Sequence, residues 1–247
     1  MKLLFENWRK YLNEGIDPRI QKQIDNLLQI PNVGIRLKFP AGGARIEYVQ
    51  LDEVAGEATT VDVDDQDAMM SMASRILNPD SPKTDDTRAS ADIRAVSLPA
   101  GSVSIIKAKK PYDGSCLDGY IVYMAEATTG WGPLLYEVAL EWASQNGGGL
   151  TPDRGLVSPD AARVWEKYVK RPGVDKKQMD VDHNLDGGWM KDIPQLTPDV
   201  HIDDCDQGKA IDAAGEEDWM KTPFSKMYYK GTPEVMKILE DAERLII

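Results

Sequence analysis

The sequence predicts a mixed α/β (α+β) protein in which a mostly antiparallel, twisted central sheet is flanked by helices. Two observations predict these elements: apolar and polar residues alternate over 33–39 and 44–51, and apolar residues take helical spacing after Pro133. The third is the length of 247 residues, at which folding buries roughly 70–75% of the unfolded surface. With 42% apolar and 28% charged residues, the composition excludes a coiled coil, a fibre and a wholly disordered chain.

An amphipathic helix is predicted at the start of the sequence. Over residues 1–14 the large apolar side chains share one helical stripe, and Gly15 ends the pattern. The stripe consists of Leu4, Phe5, Trp8, Tyr11 and Leu12. Two interpretations stay open: the stripe packs on its own domain, or residues 1–14 are a peptide that docks on another protein.

A second helix and a hairpin follow. Asp17 as N-cap and Pro18 at the first helical position predict a helix that ends at Pro31. The two alternating runs after it are joined by a turn with two glycines, which predicts an antiparallel hairpin. The segments expected next are an acidic loop (52–66), a short helix (68–77), a surface loop (78–92) and strands over 93–98, 101–108 and 120–124. The sheet then has four or five strands.

The second half of the sequence is predicted to be more helical. A helix starts at Pro133, a short strand lies near Leu150, and another helix spans residues 159–170. A terminal helix begins at Thr232-Pro233 and carries Val235, Ile238, Leu239, Ala242 and Leu245. We therefore expect an arm (1–15), one domain (16–172) and an irregular extension closed by a helix (173–247).

The charge and the cysteine content limit which partners and which cellular compartment the sequence predicts. The net charge of −12 opposes binding to nucleic acid, so no nucleic-acid partner is expected. Cys116 and Cys205 lie far apart in polar sequence, and we expect both to be free thiols in a reducing compartment. No apolar run has the length of a secretory signal or of a membrane span, so we expect no membrane partner and no secretion.

The most informative stretch runs from Tyr120 through Gly130 and Gly132. It predicts a strand that continues into a glycine turn and then a helix with Pro133 in its first turn. Unpaired amides and the helix dipole at such a position favour a pyrophosphate, and glycines let it approach the backbone. The alternative interpretation is a tight turn between a strand and a helix.

This stretch resembles the GNAT acyltransferase superfamily, whose members bind acetyl coenzyme A. In that family a strand meets a loop of the form Arg/Gln-x-x-Gly-x-Gly/Ala that holds the cofactor pyrophosphate, and a later helix carries Asn-x-x-Ala-x-x-x-Tyr. Gly130, Gly132 and Ala161 match these patterns, and residues 90–170 carry the likeness. The resemblance implies that acetyl coenzyme A contacts Val122, Met124, Thr128, Thr129, Gly130, Trp131, Gly132, Pro133 and Leu134. The Trp131 indole either stacks on adenine or wedges against its own helix.

Three positions depart from the family pattern: Ala127 at the basic or amide position, Ser158 at the asparagine and Trp165 at the tyrosine. In many of these enzymes that tyrosine protonates the leaving thiolate, and an indole lacks a comparable acidic proton. Tyr168, one turn later, is the expected substitute, and Glu126 at the strand end is the expected base for a small-molecule or protein amine. A solvated carboxylate is the alternative interpretation of Glu126.

A second resemblance concerns the origin of the protein. Residues 1–14 are similar to N-termini of proteins from large tailed bacteriophages of marine type, and residues 132–165 resemble a GNAT-like phage family. This likeness implies a protein of the host cytoplasm or the virion interior, with a capsid or other virion protein as partner through residues 1–14. The competing class is a virion or interaction protein that keeps a degenerate GNAT-like fold without catalysis.

Two metal-site patterns are incomplete. Residues 182–187 reproduce half of a calcium-binding loop, but Ile193 stands where the bidentate glutamate is required, which favours an acidic turn. His201 and Cys205 lack the partners of a tetrahedral zinc site. We therefore expect no metal.

Overall fold

The computed structural model describes residues 16–51, 98–108, 116–153, 155–181, 192–197 and 200–247. Several predicted features lie outside these residues: the helix over 1–14, the segments over 52–66, 68–77 and 78–92, most of the strand over 93–98, and the half calcium loop over 182–187. The predicted site residues from Val122 to Leu134 and Tyr168 all lie within them.

Within the described residues, eight strands form one sheet. They are β1 (Val33–Lys38), β2 (Gly43–Gln50), β3 (Gly101–Lys107), β4 (Tyr120–Ala127), β5 (Leu150–Thr151), β6 (Asp175–Gln178), β9 (Lys226–Tyr229) and β10 (Leu245–Ile246). The order across the sheet is β10-β1-β2-β3-β4-β5-β9-β6, and only the pairs β10–β1 and β4–β5 are parallel. A separate small sheet pairs β7 (Asp180–Val181) with β8 (Asp204–Cys205).

The predicted α/β class with a mostly antiparallel sheet and flanking helices is confirmed. The expected number of strands, four or five, is too low. The additional strands β6, β9 and β10 come from residues 173–247, which we expected to be irregular. β9 lies between β5 and β6, so this part of the chain completes the sheet.

Four of the five helices in the described residues begin within two residues of the predicted starts, whereas α4 was not predicted. They are α1 (Pro18–Gln29), α2 (Gly132–Asn146), α3 (Pro159–Lys170), α4 (Gly208–Ala214) and α5 (Glu234–Asp241). Asp17 caps α1 by accepting a hydrogen bond from the amide of Arg19 at 2.8 Å, and Ser158 caps α3 through the amide of Ala161 at 3.2 Å. None of the helices in the described ranges is long and apolar enough to cross a membrane.

Two apolar clusters lie on opposite faces of the sheet at β4. Tyr120 and Val122 belong to the main core, whereas Ile121 belongs to a second cluster under the C-terminal third of the chain. The main core is centred on α2, in which ten of the fifteen residues are buried. Because β4 is covered on both faces here, it is a firm support for the residues that follow it.

The prediction that Cys116 and Cys205 are free thiols is wrong, because the structure joins the two residues in a disulfide. They are 89 positions apart in sequence, but their Cα atoms are 5.1 Å apart and both side chains are fully buried. The short 3₁₀ turn at Cys116–Asp118 and strand β8 meet in the second apolar cluster, where the amide of Leu117 donates to the carbonyl of Ile202. The spacing of the two cysteines in the sequence does not indicate whether they are in contact in the fold.

The terminal helix is shorter than the apolar spacing predicts. α5 ends at Asp241, because Glu243 adopts a left-handed conformation with φ of 58°. Leu245, expected on the helix, instead pairs with Ile35 in the parallel β10–β1 ladder.

Candidate functional site

A cleft opens beside the second half of β4. β4 and β5 pair at only two positions in the described residues, Tyr120 with Leu150 and Ile121 with Thr151. Past these pairs, a cavity of about 490 Å³ lies between the end of β4 and the first turns of α3. A second cavity, of about 180 Å³, lies between residues 122–125 on one side and Asp153 and residues 156–158 on the other. We call them the loop cavity and the strand cavity. Both are lined by Ala125, Tyr136, Ser158 and Ala161, so they form one continuous cleft.

A β-bulge marks the point where this cleft begins. Ser104 pairs with Met124 and Ile105 pairs with Val122, so Tyr123 is an extra residue on β4. Bulges bend a strand and are over-represented beside active sites. Residues 123–127, which follow the bend, are exposed although the first half of β4 is buried.

Three carbonyl groups of the glycine loop (residues 128–132) are already engaged in hydrogen bonds. The carbonyl of Gly130 accepts a hydrogen bond from the side-chain amide of Gln23 on α1. The carbonyl of Trp131 accepts one from the Tyr48 hydroxyl at 3.0 Å, and the carbonyl of Thr128 accepts one from the Trp131 amide at 2.9 Å. These contacts hold the peptide planes of the loop in one orientation.

The amide groups of the loop are correspondingly available. Within the described part of the chain, the amides of Thr129, Gly130, Gly132 and Leu134 have no backbone acceptor, and no side chain caps α2. Gly130 has φ of 89°, and a Cβ there would meet no atom within 4 Å. The unpaired amides thus lie at the positive end of the α2 dipole and beside the open space at Gly130, an arrangement that favours an anion.

Seven of the nine predicted cofactor-binding residues line the cleft. Thr128, Thr129, Gly130, Gly132 and Pro133 line the loop cavity, and Val122 and Met124 line the strand cavity. Trp131 and Leu134 line neither cavity. The Leu134 side chain is fully buried in the main core.

The Trp131 indole packs inside the protein. It is 6% exposed, and its ring meets Tyr48 edge-on with centroids 5.8 Å apart. Of the two interpretations left open by the sequence, wedging against the protein is therefore the one observed. The indole anchors the glycine loop and leaves the cleft free.

The structure does not bring the two predicted catalytic residues together. Glu126 is exposed at the end of β4 and lines the loop cavity. Tyr168 lines neither part of the cleft and is 4% exposed, with its hydroxyl 3.5 Å from the Glu137 carboxylate. Burial, with the charge of Glu137, raises the pKa of Tyr168 well above its ordinary value.

A buried ionic cluster surrounds Tyr168. We give this name to Glu137, Glu141, Arg171 and Lys230. Arg171 donates to both carboxylate oxygens of Glu137 at 2.5 and 2.9 Å, and Lys230 donates to Glu137 at 3.0 Å and to Glu141 at 2.7 Å. The cluster joins α2 to the end of α3 and thereby sets the spacing of two helices that border the cleft.

Sequence reasoning missed Tyr136, which lines both cavities. Its ring meets Trp165 edge-on at 5.8 Å, beside the position where the family pattern has a tyrosine. Burial, with the nearby charge of Asp153, raises the pKa of Tyr136 to about 12, so the phenol is neutral at pH 7. Its place one helical turn after Gly132 was the available signal.

Two basic residues of the loop cavity were also missed. Arg163 and Lys167 lie four residues apart on α3, and both line the cavity opposite the glycine loop. Their spacing on a predicted helix was visible in the sequence, but the direction of that helix relative to the loop was not.

His201 and Cys205, the two residues considered for a zinc site, make other contacts in the structure. Cys205 is in the disulfide, and His201 Nδ1 is 2.9 Å from a carboxylate oxygen of Asp204. Among the residues that the structure describes, no group of three or more histidine, cysteine or acidic side chains is arranged to hold a metal ion. The calcium-like segment lies outside them.

Comparison of the chain with protein-family models, with curated proteins and with solved structures gave no match. The chemistry of the cleft therefore has to be argued from its own residues. These are the unpaired loop amides, the cations Arg163 and Lys167, three carboxylates and two phenols; the carboxylates are Glu126, Asp153 and Asp160, and the phenols are Tyr123 and Tyr136.

Proposed function

We propose that this protein binds acetyl coenzyme A in the cleft beside β4 and transfers the acetyl group to an amine. The observation that carries the proposal is the hydrogen bonding of the glycine loop: its carbonyls are held by Gln23, Tyr48 and Trp131, while amides of the loop have no backbone acceptor and the loop lines the cleft. A diphosphate is the group in this ligand that such amides favour.

The residues present fit the phosphate end of the ligand. Gly130 has no side chain and open space beside its Cα, so a diphosphate can approach the backbone closely. Arg163 and Lys167 provide positive charge on the opposite wall, a role that the family pattern gives to the loop position occupied here by Ala127. The carboxylates Glu126 and Asp160 line the same cavity, so its charged side chains balance although the whole chain is acidic.

The residues of the strand cavity fit the thioester end. When bound, acetyl coenzyme A supplies an acyl group activated as a thioester, from which an amine displaces the thiol. Glu126 would accept the proton that the amine loses, and the neutral Tyr136 hydroxyl would donate a proton to the departing sulfur. The bulge at Tyr123 disrupts strand pairing beside the cavity, where backbone amides are needed to bind the carbonyl oxygen.

The order of elements also favours this proposal. The described chain has a strand that runs into the glycine loop and a helix, and a later helix on which Ala161 lines the cleft. These are the elements that the resemblance implies. A small side chain at Ala161 leaves room where the two cavities join.

The test is the thermal shift of the full chain with acetyl coenzyme A. A ligand at 100 times its Kd stabilises the native state by about 2.7 kcal/mol, which raises Tm by about 5–10 °C in a chain of this size. Gly130→Leu should abolish the shift, because its side chain would project into the space beside the loop.

Gly215→Leu is the matched control. Gly215 has φ of 85° and equally open surroundings, so both variants place a branched side chain at a similar positive φ, but Gly215 lies outside the cleft. We expect Gly215→Leu to keep the full shift. An unchanged shift in Gly130→Leu, or none in the natural protein at millimolar ligand, would overturn the proposed site.

A second candidate function is that of a virion or interaction protein that keeps the fold without catalysis. The burial of Tyr168 in the ionic cluster, together with an indole at Trp165, favours it. Cofactor binding without thiol release against a panel of amines would support this candidate. The phage origin, the virion or cytoplasmic location and docking through residues 1–14 stay predictions, and those residues lie outside the described chain.

A further inference from the structure

A basic groove adjoins the loop cavity. It has a volume of about 700 Å³ and lies between the start of α1 and the exposed side of α3. Its charged lining has five cationic side chains, Arg19, Arg163, Lys167, Lys170 and Arg171, against the carboxylates Asp17 and Glu166. This excess of positive charge contrasts with the net charge of −12 of the whole chain.

The basic groove is continuous with the loop cavity. Arg163 and Lys167 line both spaces, and Lys170 lies about one helical turn further along α3. The three residues therefore form a track that starts opposite the glycine loop and ends in the groove. An extended ligand with its diphosphate at the loop and one arm in the strand cavity would have its other arm directed along this track.

The cations of the groove differ in how far they are already neutralised. Arg171 is bound to buried Glu137, Arg19 pairs with Asp17 at 2.8 Å, and Arg163 pairs with Asp160. Lys167 and Lys170 have no ion-pair partner among the described residues. Both are exposed, so their ammonium groups are free to contact an anion that enters the groove.

We propose that the basic groove binds a second phosphate group of the same ligand, the ribose 3′-phosphate of coenzyme A. This inference rests on the proposed function, since it assigns the loop amides to the diphosphate. A phosphate monoester carries up to two negative charges, which two neighbouring lysines match better than a neutral ribose hydroxyl does. The site would thereby distinguish the cofactor from otherwise identical molecules without that phosphate.

The experiment compares coenzyme A with dephospho-coenzyme A, which lacks only the 3′-phosphate, by calorimetry on the full chain at constant ionic strength. We expect coenzyme A to bind about tenfold more tightly. Lys170→Gln, in the groove but outside the loop cavity, should remove most of this preference while leaving the affinity for dephospho-coenzyme A unchanged.

Lys22→Gln is the control, because it removes the same charge from an exposed lysine of α1 that lines neither space. It should keep the tenfold preference. Equal affinity of the natural protein for both ligands overturns the groove assignment and leaves the proposed function standing. Absence of binding by either ligand at millimolar concentration overturns both.

Discussion

Replacing Lys230 by methionine tests how much the buried ionic cluster stabilises the fold. Lys230 is 4% exposed, and its ammonium contacts Glu137 at 3.0 Å, Glu141 at 2.7 Å and Glu234 at 3.3 Å. Glu137 and Glu141 are fully buried on α2. Methionine has a similar length but no charge, so the substitution would leave these two carboxylates with Arg171 as the remaining cation of the cluster.

The expected loss of stability is large because both carboxylates are buried and cannot be solvated by water once the ammonium group is removed. Removing one partner from a buried ion pair costs about 3–5 kcal/mol, mainly through the uncompensated charge that stays behind. Glu141 also accepts hydrogen bonds from the amides of Val235 and Met236 at 3.0 and 2.8 Å, so it caps the start of α5. We therefore expect Lys230→Met to lower the free energy of unfolding by about 3–5 kcal/mol at pH 7.

The loss should depend on pH in a defined direction. Burial raises the pKa of Glu141 despite the opposing charge of Lys230, and removing Lys230 would raise it further. The folded variant then binds a proton more tightly than its unfolded chain does. Its stability therefore falls as the pH rises from the pKa of Glu141 in the unfolded chain to the higher pKa in the folded variant. The difference between Lys230→Met and the natural protein should accordingly narrow as the pH is lowered from 7 towards 5.

Urea unfolding followed by tryptophan fluorescence measures the effect. Lys226→Met is the control, because the Lys226 ammonium binds the Gln178 side-chain oxygen and the Met220 carbonyl instead of a carboxylate, and its loss should cost about 1 kcal/mol. Adding Glu141→Gln to Lys230→Met should recover part of the lost stability. Equal losses for the two lysine variants at every pH would refute the argument.

Two further predictions concern the cleft and the disulfide. Tyr136→Phe should lower kcat by about 10²–10⁴ without changing the Kd for acetyl coenzyme A, whereas Tyr123→Phe, in the same strand cavity, should change neither. An unchanged kcat would show that Tyr136 is not the proton donor. The Cys116–Cys205 bond closes a loop of 89 positions, so its reduction should lower the free energy of unfolding by about 4–5 kcal/mol. Urea titrations with and without reductant measure this loss, and coincident unfolding curves would contradict the prediction.

The local parts of the fold were predictable. Asp17 and Ser158 cap helices as their positions indicate, the hairpin of β1 and β2 has the expected turn, and the strand before the glycine loop runs directly into α2. Each of these features depends on contacts between residues a few positions apart. The sequence therefore also located the loop amides, which are the centre of the candidate site.

Long-range packing decided the remainder of the site. The rotation of α3 directs Tyr168 into the ionic cluster and turns Arg163 and Lys167 towards the glycine loop, although all three lie on one short helix. Tyr136 lines the cleft because α2 crosses behind β4, and its spacing alone is also typical of a core residue. The sequence supplied the candidates but not the face on which each one lies.

The amino-acid sequence by itself determined the starts of α1, α2 and α3, the hairpin, the mixed α/β class and the strand–glycine–helix unit, because capping, turn chemistry and periodicity act within a few residues. Only the tertiary structure decided that β9 lies between β5 and β6, that Cys116 meets Cys205, and that Lys230 neutralises two glutamates of α2. These pairings join segments tens of residues apart. These long-range pairings form because they bury apolar surface and neutralise buried charges, and no pattern of neighbouring residues indicates which segments will do so.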